Sequence, residues 1–272
     1  MVELGQGKPN EWVLQKCAIE PLDHGWIVDG TIENFDEVLG AVKRLLKKTG
    51  TKTKNVAMAL PPSTVITKKM IVPAGLSDQE LEAQVEAEAN QYIPFALEEA
   101  SLDFCVVGPA ANSQGDVEVL IAATRKEKVD DRMALADAAG LKLTVMDVES
   151  YAGRMALSRL IQQLPNQGEN TTVALFEIVS QATSMQVLRD DKVLYDREQP
   201  FGSAQLLKLI VRQYGLTMEE AVIKRRNADL PDDYATSVLD PFVTNVSNEI
   251  GRALQFFFTS TQHSSVDYIM LS

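Results

Sequence analysis

Phe201-Gly202-Ser203 stands between a strand-like run, Lys192 to Gln199, and an amphipathic run that begins at Ser203. A glycine at a strand-to-helix turn permits close backbone approach, and the first N–H groups of a helix, together with its dipole, can hold an anionic phosphate. The same residues also read as a turn glycine followed by an ordinary serine N-cap. A second turn, between Ile178 and Thr183, joins two strand-like runs and contains no glycine. A third group is the set of carboxylates Asp78, Glu80, Glu82, Glu86, Glu88, Glu98 and Glu99. Their spacing follows the outer face of a helix rather than a coordinating loop, so they read as a surface and not as a divalent-cation site. No HExxH, nucleophile elbow or Walker-type phosphate loop is present. His24 and His263 leave little for acid–base chemistry, and Cys17 and Cys105 give neither a disulfide framework nor metal-ligand spacing. The residues point to binding rather than to metabolic catalysis.

The elements that must position these groups are legible from periodicity. Phe35, Val38, Leu39, Val42, Leu45 and Leu46 recur at helical spacing and stop at Gly50. Ser77 with Glu80 forms a capping box, after which Leu81, Val85, Ala89 and Tyr92 share a face until Pro94. Further helices fit Glu127 to Ala139, Glu149 to Leu164, Ser203 to Tyr214, Met218 to Arg226 and Pro241 to Gln262. Strand-like runs are Trp12 to Ile19, Asn55 to Leu60, Thr64 to Val72, Leu102 to Val107, Val117 to Ala123, Leu143 to Val148, Thr172 to Ile178, Thr183 to Arg189, Lys192 to Gln199 and Val266 to Leu271. The class is mixed α/β. Three strands lead into the helix at Ser203, and Trp12 to Ile19 precedes the helix at Phe35, which is a partial internal repeat with an incomplete first half. Both ends of the chain read as truncated.

With 272 residues and roughly 150 per domain, the chain holds about two domains' worth of material. No apolar run approaches the ~20 residues of a membrane span, and no secretory signal opens the chain, so a cytoplasmic location is expected. Twenty-six Lys and Arg against 38 Asp and Glu give a net charge of −12, which argues against general affinity for nucleic-acid phosphates. The charges are segregated. Residues 38–77 hold eight basic side chains and no acidic one, whereas residues 70–124 hold ten acidic side chains and no Lys, Arg or His. Two surfaces of opposite sign, or two ordinary solvated faces, follow from that switch.

Gln91-Tyr92-Ile93-Pro94-Phe95-Ala96-Leu97-Glu98-Glu99, preceded by Ala74-Gly75-Leu76-Ser77-Asp78, resembles the type IV pilus assembly protein PilM family. Ala122 to Glu127, Val145 to Ala152, Tyr195 to Gln199 and Arg252 to Phe258 resemble it in the same order, so the likeness covers essentially the whole chain. The resemblance implies an α/β, actin-like (FtsA-like) fold of two duplicated lobes around a nucleotide cleft, with a small α+β subdomain inserted and both termini incomplete. It divides the chain into core subdomain 1A (1–61 and 141–170), inserted subdomain 1C (62–140), core subdomain 2A (171–214 and 236–272) and subdomain 2B (215–235).

The resemblance further implies a cytoplasmic, ATP-binding adaptor, recruited to the inner membrane face, that captures the cytoplasmic tail of the inner-membrane protein PilN. The tail site would lie between the inserted subdomain and the neighbouring core subdomain. The acidic helix, through Glu82 and Glu86, is the surface expected to meet a basic tail. For ATP with Mg, the family's second phosphate hairpin falls on Phe176 to Gln181, with Glu177 keeping the charge, Ser180 at the turn and Val179 in place of a glycine. A β-branched side chain there crowds a phosphate and resists positive φ. Phe201-Gly202-Ser203 stands for the family's Phe-Gly-Gly, and Arg225 for a helix lysine. A first phosphate hairpin would precede Met1, and a glycine pair would follow Ser272. The reading is thus a non-enzymatic adaptor with a degenerate nucleotide site at Gly202, Ser203, Glu177, Ser180 and Arg225. The alternatives are a working actin-like ATPase or a cytoplasmic actin-like component of a type II secretion system. A sugar or acetate kinase of the same superfold is disfavoured, because fold alone carries no chemistry.

Overall fold

The computed structural model describes residues 1–8, 11–23, 25–110, 113–190 and 192–272, so His24 lies outside the described residues. The chain divides into two compact units, Met1–Arg154 and Met155–Ser272.

In the first unit, β1 (Val2–Gln6) pairs antiparallel with β2 (Trp12–Cys17), and the short strands β3 (Ile27–Val28) and β4 (Thr31–Ile32) form a hairpin. α1 (Phe35–Thr49) buries Val38 and Ala41 on one face. Its first turn is acidic and its last turn basic, as the helix dipole favours. It ends at Gly50, whose φ of 58° suits glycine. β5 (Asn55–Leu60) lies parallel to β9 (Lys142–Val148). Between these two strands in sequence come β6 (Val65–Pro73), α2 (Asp78–Tyr92), β7 (Ala100–Pro109), β8 (Asp116–Arg125) and α3 (Lys126–Ala138). β6, β8 and β7 form an antiparallel sheet in that order. Val85 of α2 packs on Val72, Val119 and Ile121 of this sheet, and Ala89 on Ile93 and Ala123. Phe95 and Leu97 pack against the latter group, as the Pro94 turn requires. Tyr92 departs from the expected buried face. It is 41% exposed, with its hydroxyl donating to Glu88 and its ring under the Lys68 ammonium. A phenol needs a partner for its hydroxyl, and Ile93, one residue on, fills the core instead.

The division between units falls within α4 (Glu149–Ile161). In the second unit β10 (Thr172–Ile178), β11 (Thr183–Arg189) and β12 (Lys192–Gln199) form an antiparallel meander with the boundaries that alternation predicts. α5 (Ala204–Tyr214), α6 (Met218–Arg226) and α7 (Asp240–Ser260) follow, and β13 (Tyr268–Leu271) pairs parallel with β10. The sheet order is β12-β11-β10-β13. Thr172 to Phe176 are all buried, as a central strand covered on both faces demands. Phe257 of α7 packs on Ala174, Phe176, Met185 and Val187, meets Tyr195 edge-on at 5.5 Å and stacks on the His263 ring. That imidazole is therefore a packing group. A second core joins Phe201, Leu206, Ile210, Ala221, Val238 and Phe242. The last long helix does not begin at Pro241. Ala235–Leu239 precede it as a π-helical turn, closed by the Asp240 N–H on the Ala235 carbonyl.

α1 and α5 each follow an antiparallel strand pair and each end at a left-handed glycine, Gly50 and Gly215, which matches the partial repeat read from the sequence.

Candidate functional site

The best-formed polar constellation of the second unit is the meeting of the β10–β11 turn with the start of α5. The Val179 N–H donates to the Ala182 carbonyl (3.0 Å) and closes the turn. None of its residues 179–182 has a positive φ, so the turn forms without a glycine. The Val179 side chain is exposed. The carbonyls of Val179 and Ser180 point at α5, accepting from the N–H groups of Ser203 and Ala204 at 2.9 Å each. Thr183, itself buried, donates its hydroxyl to the Phe201 carbonyl at 2.6 Å and holds the segment from the other side.

Gly202 is the residue this arrangement requires. A Cβ there would stand 2.4 Å from the Ser180 oxygen and 2.5 Å from the Val179 oxygen, well inside any tolerable contact. Its φ is not positive, so glycine is demanded by space and not by conformation. Ser203 has helical φ and ψ (−64° and −16°), and its side chain makes no capping hydrogen bond, so it is not the N-cap that its position suggests. The first N–H groups of a helix are ordinarily free to hold an anion. Here two of them face carbonyl oxygens, and the space over Gly202 is filled by the chain's own backbone. These residues do not fit a phosphate cradle at the α5 start.

The structure therefore brings Gly202, Ser203 and Ser180 together, with Glu177 on the same strand two residues before Val179 and opposite Ser184. Arg225 is exposed in the last turn of α6. No hydrogen bond or ion pair among the described residues ties it to the turn. A cavity of about 650 Å³ in this unit lies at the opposite end of β10, lined among others by Ile161, Gly168, Asn170, Val173 and Asp190. Left-handed backbone at Asn166, Gln167, Gly168, Asn170 and Asp190 frames it, and the Asn170 N–H donates to the Asp190 carboxylate at 2.7 Å.

In the first unit the acidic helix has two kinds of carboxylate. Glu80 closes the capping box with Ser77, and the Ser77 hydroxyl, then its N–H, hold the Glu80 pKa below the ordinary glutamate value. Glu82 and Glu86 are exposed and form no ion pair among the described residues. The stretch without cations in sequence is not without cations in space. Lys69 pairs with Glu118 at 2.8 Å, and Arg125 pairs with Glu99 at 3.2 Å while lying over the Phe95 ring.

Sequence reasoning missed Arg132, which is 8% exposed on α3. Its guanidinium donates to the Lys128 and Gly30 carbonyls at 3.0 Å each, fastening the β3–β4 hairpin. Burial pushes its pKa down, opposed by Glu149 and Asp131. The signal available was its place on one helical face with Leu135 and Ala136. The reciprocal capping box of Thr217 and Glu220 on α6 was also readable as T-x-x-E.

A family model described as type IV pilus assembly protein PilM matches residues 1–272. Among solved structures, the chain is similar to one described as the PilM-PilN type IV pilus biogenesis complex. That likeness has 27% sequence identity and a TM-score of 0.78, and it covers 100% of this chain and 77% of that chain. It is similar in fold to the ethanolamine utilization protein EutJ from Carboxydothermus hydrogenoformans, with 14% identity and a TM-score of 0.51, over 96% of this chain and 65% of that one. The α/β fold is of the actin-like kind.

Proposed function

Because the chain belongs to the type IV pilus assembly protein PilM family, we propose that it is a non-enzymatic adaptor of the pilus assembly complex that captures the cytoplasmic tail of PilN. The observation that carries this reading is the likeness, over the whole chain, to a chain of the PilM-PilN complex. Among the described residues no helix is long and apolar enough to cross a membrane. By its family likeness, in this reading the protein is cytoplasmic and reaches the inner membrane face through its partner. Residues 62–140 are taken as the inserted subdomain and 215–235 as the small subdomain of the other lobe. Glu82 and Glu86, solvated and unpaired, suit the encounter with an extended tail carrying basic and apolar residues. Charge would steer the approach, and apolar anchors would supply most of the affinity.

In a labelled PilN-tail titration, Glu82→Lys with Glu86→Lys is expected to slow association at low salt and to flatten its salt dependence, with little change in dissociation. Identical association rates at low salt would remove α2 from recognition, and a tail that binds neither protein would remove the adaptor reading itself.

The same reading holds that Mg-ATP binds weakly or not at all, supported by the carbonyl-filled space over Gly202. The competing reading, a working actin-like ATPase, requires a nucleotide to raise the melting temperature. Calorimetric titration with Mg-ATP decides between them, and a dissociation constant in the micromolar range or tighter would favour the ATPase.

A further inference from the structure

The proposed function makes no use of the basic half of the charge switch. Lys43, Arg44, Lys47 and Lys48 are exposed on the last two turns of α1, and Lys52 and Lys54 are exposed just beyond it. Lys142 joins them, since its backbone N–H donates to the Lys54 carbonyl at 2.8 Å. Lys16 of β2 reaches the Gly50 carbonyl at 2.8 Å. The segment after β2 is drawn onto this cluster. The Lys48 ammonium donates to the Ile19 carbonyl at 3.2 Å, and Arg44 donates to the Glu20 carboxylate at 2.6 Å.

Two carboxylates at this end are already engaged, Glu20 by Arg44 and Glu3 by Lys16 and the Thr53 hydroxyl. Lys43, Lys47, Lys52 and Lys54 have no ion pair among the described residues. Beside them stands Ile19, 77% exposed, the most exposed large hydrophobic residue among those described, with Leu22 at 43% in the same segment.

We propose that this end of the first unit, the lysines around Ile19, is a landing face for an anionic lipid bilayer. Unpaired lysines meet headgroup phosphates, and each adds to the attraction near such a surface. An aliphatic side chain exposed on the residue whose carbonyl holds Lys48 has somewhere to go only if the partner offers an acyl layer behind its charges. A free phosphate or a nucleic acid would use the lysines and leave Ile19 in water. A chain of net charge −12 is on average repelled by the same surface, so within a Debye length of about 8 Å approach through a basic face such as this one is favoured over approach through an acidic one. The inference stands on these contacts and not on the adaptor reading, and its test contains no PilN peptide, so either can fail alone.

The test is co-sedimentation of the full chain with phosphatidylcholine vesicles, with and without phosphatidylglycerol. Anionic vesicles are expected to bind at least about tenfold more tightly, with the gain lost at high salt. Lys43→Glu with Lys47→Glu and Lys52→Glu should abolish that gain without changing the melting temperature. Ile19→Ser should weaken binding to anionic vesicles about fivefold while leaving binding to an oligonucleotide unchanged. Equal binding to both vesicle types, or wild-type binding by the triple lysine variant, overturns the proposal. So does an Ile19→Ser variant indistinguishable from wild type, which would make the cluster a general polyanion surface. Self-association without vesicles that the lysine variant loses would assign the face to a second copy and overturn it as well.

Discussion

The turn at Gly202 and the acidic helix α2 both present polar groups at spacings that suit a ligand, yet the chain treats them oppositely. At the turn the donors are engaged internally, Ser203 and Ala204 N–H on the Val179 and Ser180 carbonyls, and the glycine exists to let those carbonyls in. On α2 Glu80 is engaged at the helix start and Glu88 by the Tyr92 hydroxyl, while Glu82 and Glu86 face water. A glycine before a helix therefore marks close approach without saying of what, and a binding site is defined by the groups that folding leaves unpaired.

The substitution that tests this contrast hardest is Gly202→Ala. The added methyl meets two backbone oxygens that cannot rotate away, so a loss of about 3 kcal/mol in denaturant unfolding is expected, and a neutral result would show that the turn is not packed as described. Thr183→Val removes the buried hydroxyl from the Phe201 carbonyl and should cost about 1–2 kcal/mol. On α2, Ser77→Ala should cost about 1 kcal/mol through the lost cap. Glu82→Lys with Glu86→Lys should leave stability within about 0.5 kcal/mol, so that thermal melts rank the four variants in this order.

The smallest expected effect is on pH. Glu80, held below the ordinary glutamate value by the Ser77 hydroxyl and then its N–H, and Glu220, held below it by the Thr217 N–H and then its hydroxyl, support α2 and α6 fully above the unfolded-state pKa. That support is lost as the pH falls through the lower folded value. Side-chain NMR titration should place both midpoints below that of an unfolded reference peptide, and midpoints at or above the reference would mean the boxes are open in solution.

Much of this was legible beforehand. The β10–β11–β12 meander and the Ser77 capping box are local patterns, alternation in one case and a four-residue reciprocal bond in the other, and both appear where expected. What was not legible depends on register between distant segments. That the carbonyls of residues 179 and 180 fill the space over Gly202 follows from how three strands and a helix start are aligned. As a residue type Val179 is an obstacle to a phosphate, but in the fold its side chain is exposed and its carbonyl matters more. Tyr92 and Arg132 were misjudged or missed for a related reason, since periodicity assigns a face and cannot say whether a polar tip finds a partner. The cation-free acidic stretch gained Lys69 and Arg125 only through strand pairing and proximity in the folded unit.

The parallel pairing of β10 with β13 sets the order of events during synthesis. Thr172 donates its N–H to the Asp267 carboxylate across 95 positions of chain, and the central strand of the second unit has no partner on that side until those late residues emerge. At about 5–20 residues per second, the central strand, buried from Thr172 to Phe176, waits about 5–20 s with one edge open. Emergence of Asp267 and β13, rather than collapse of the meander, is then the event that closes the sheet, and the nascent chain in that interval is the form of this protein most in need of a chaperone.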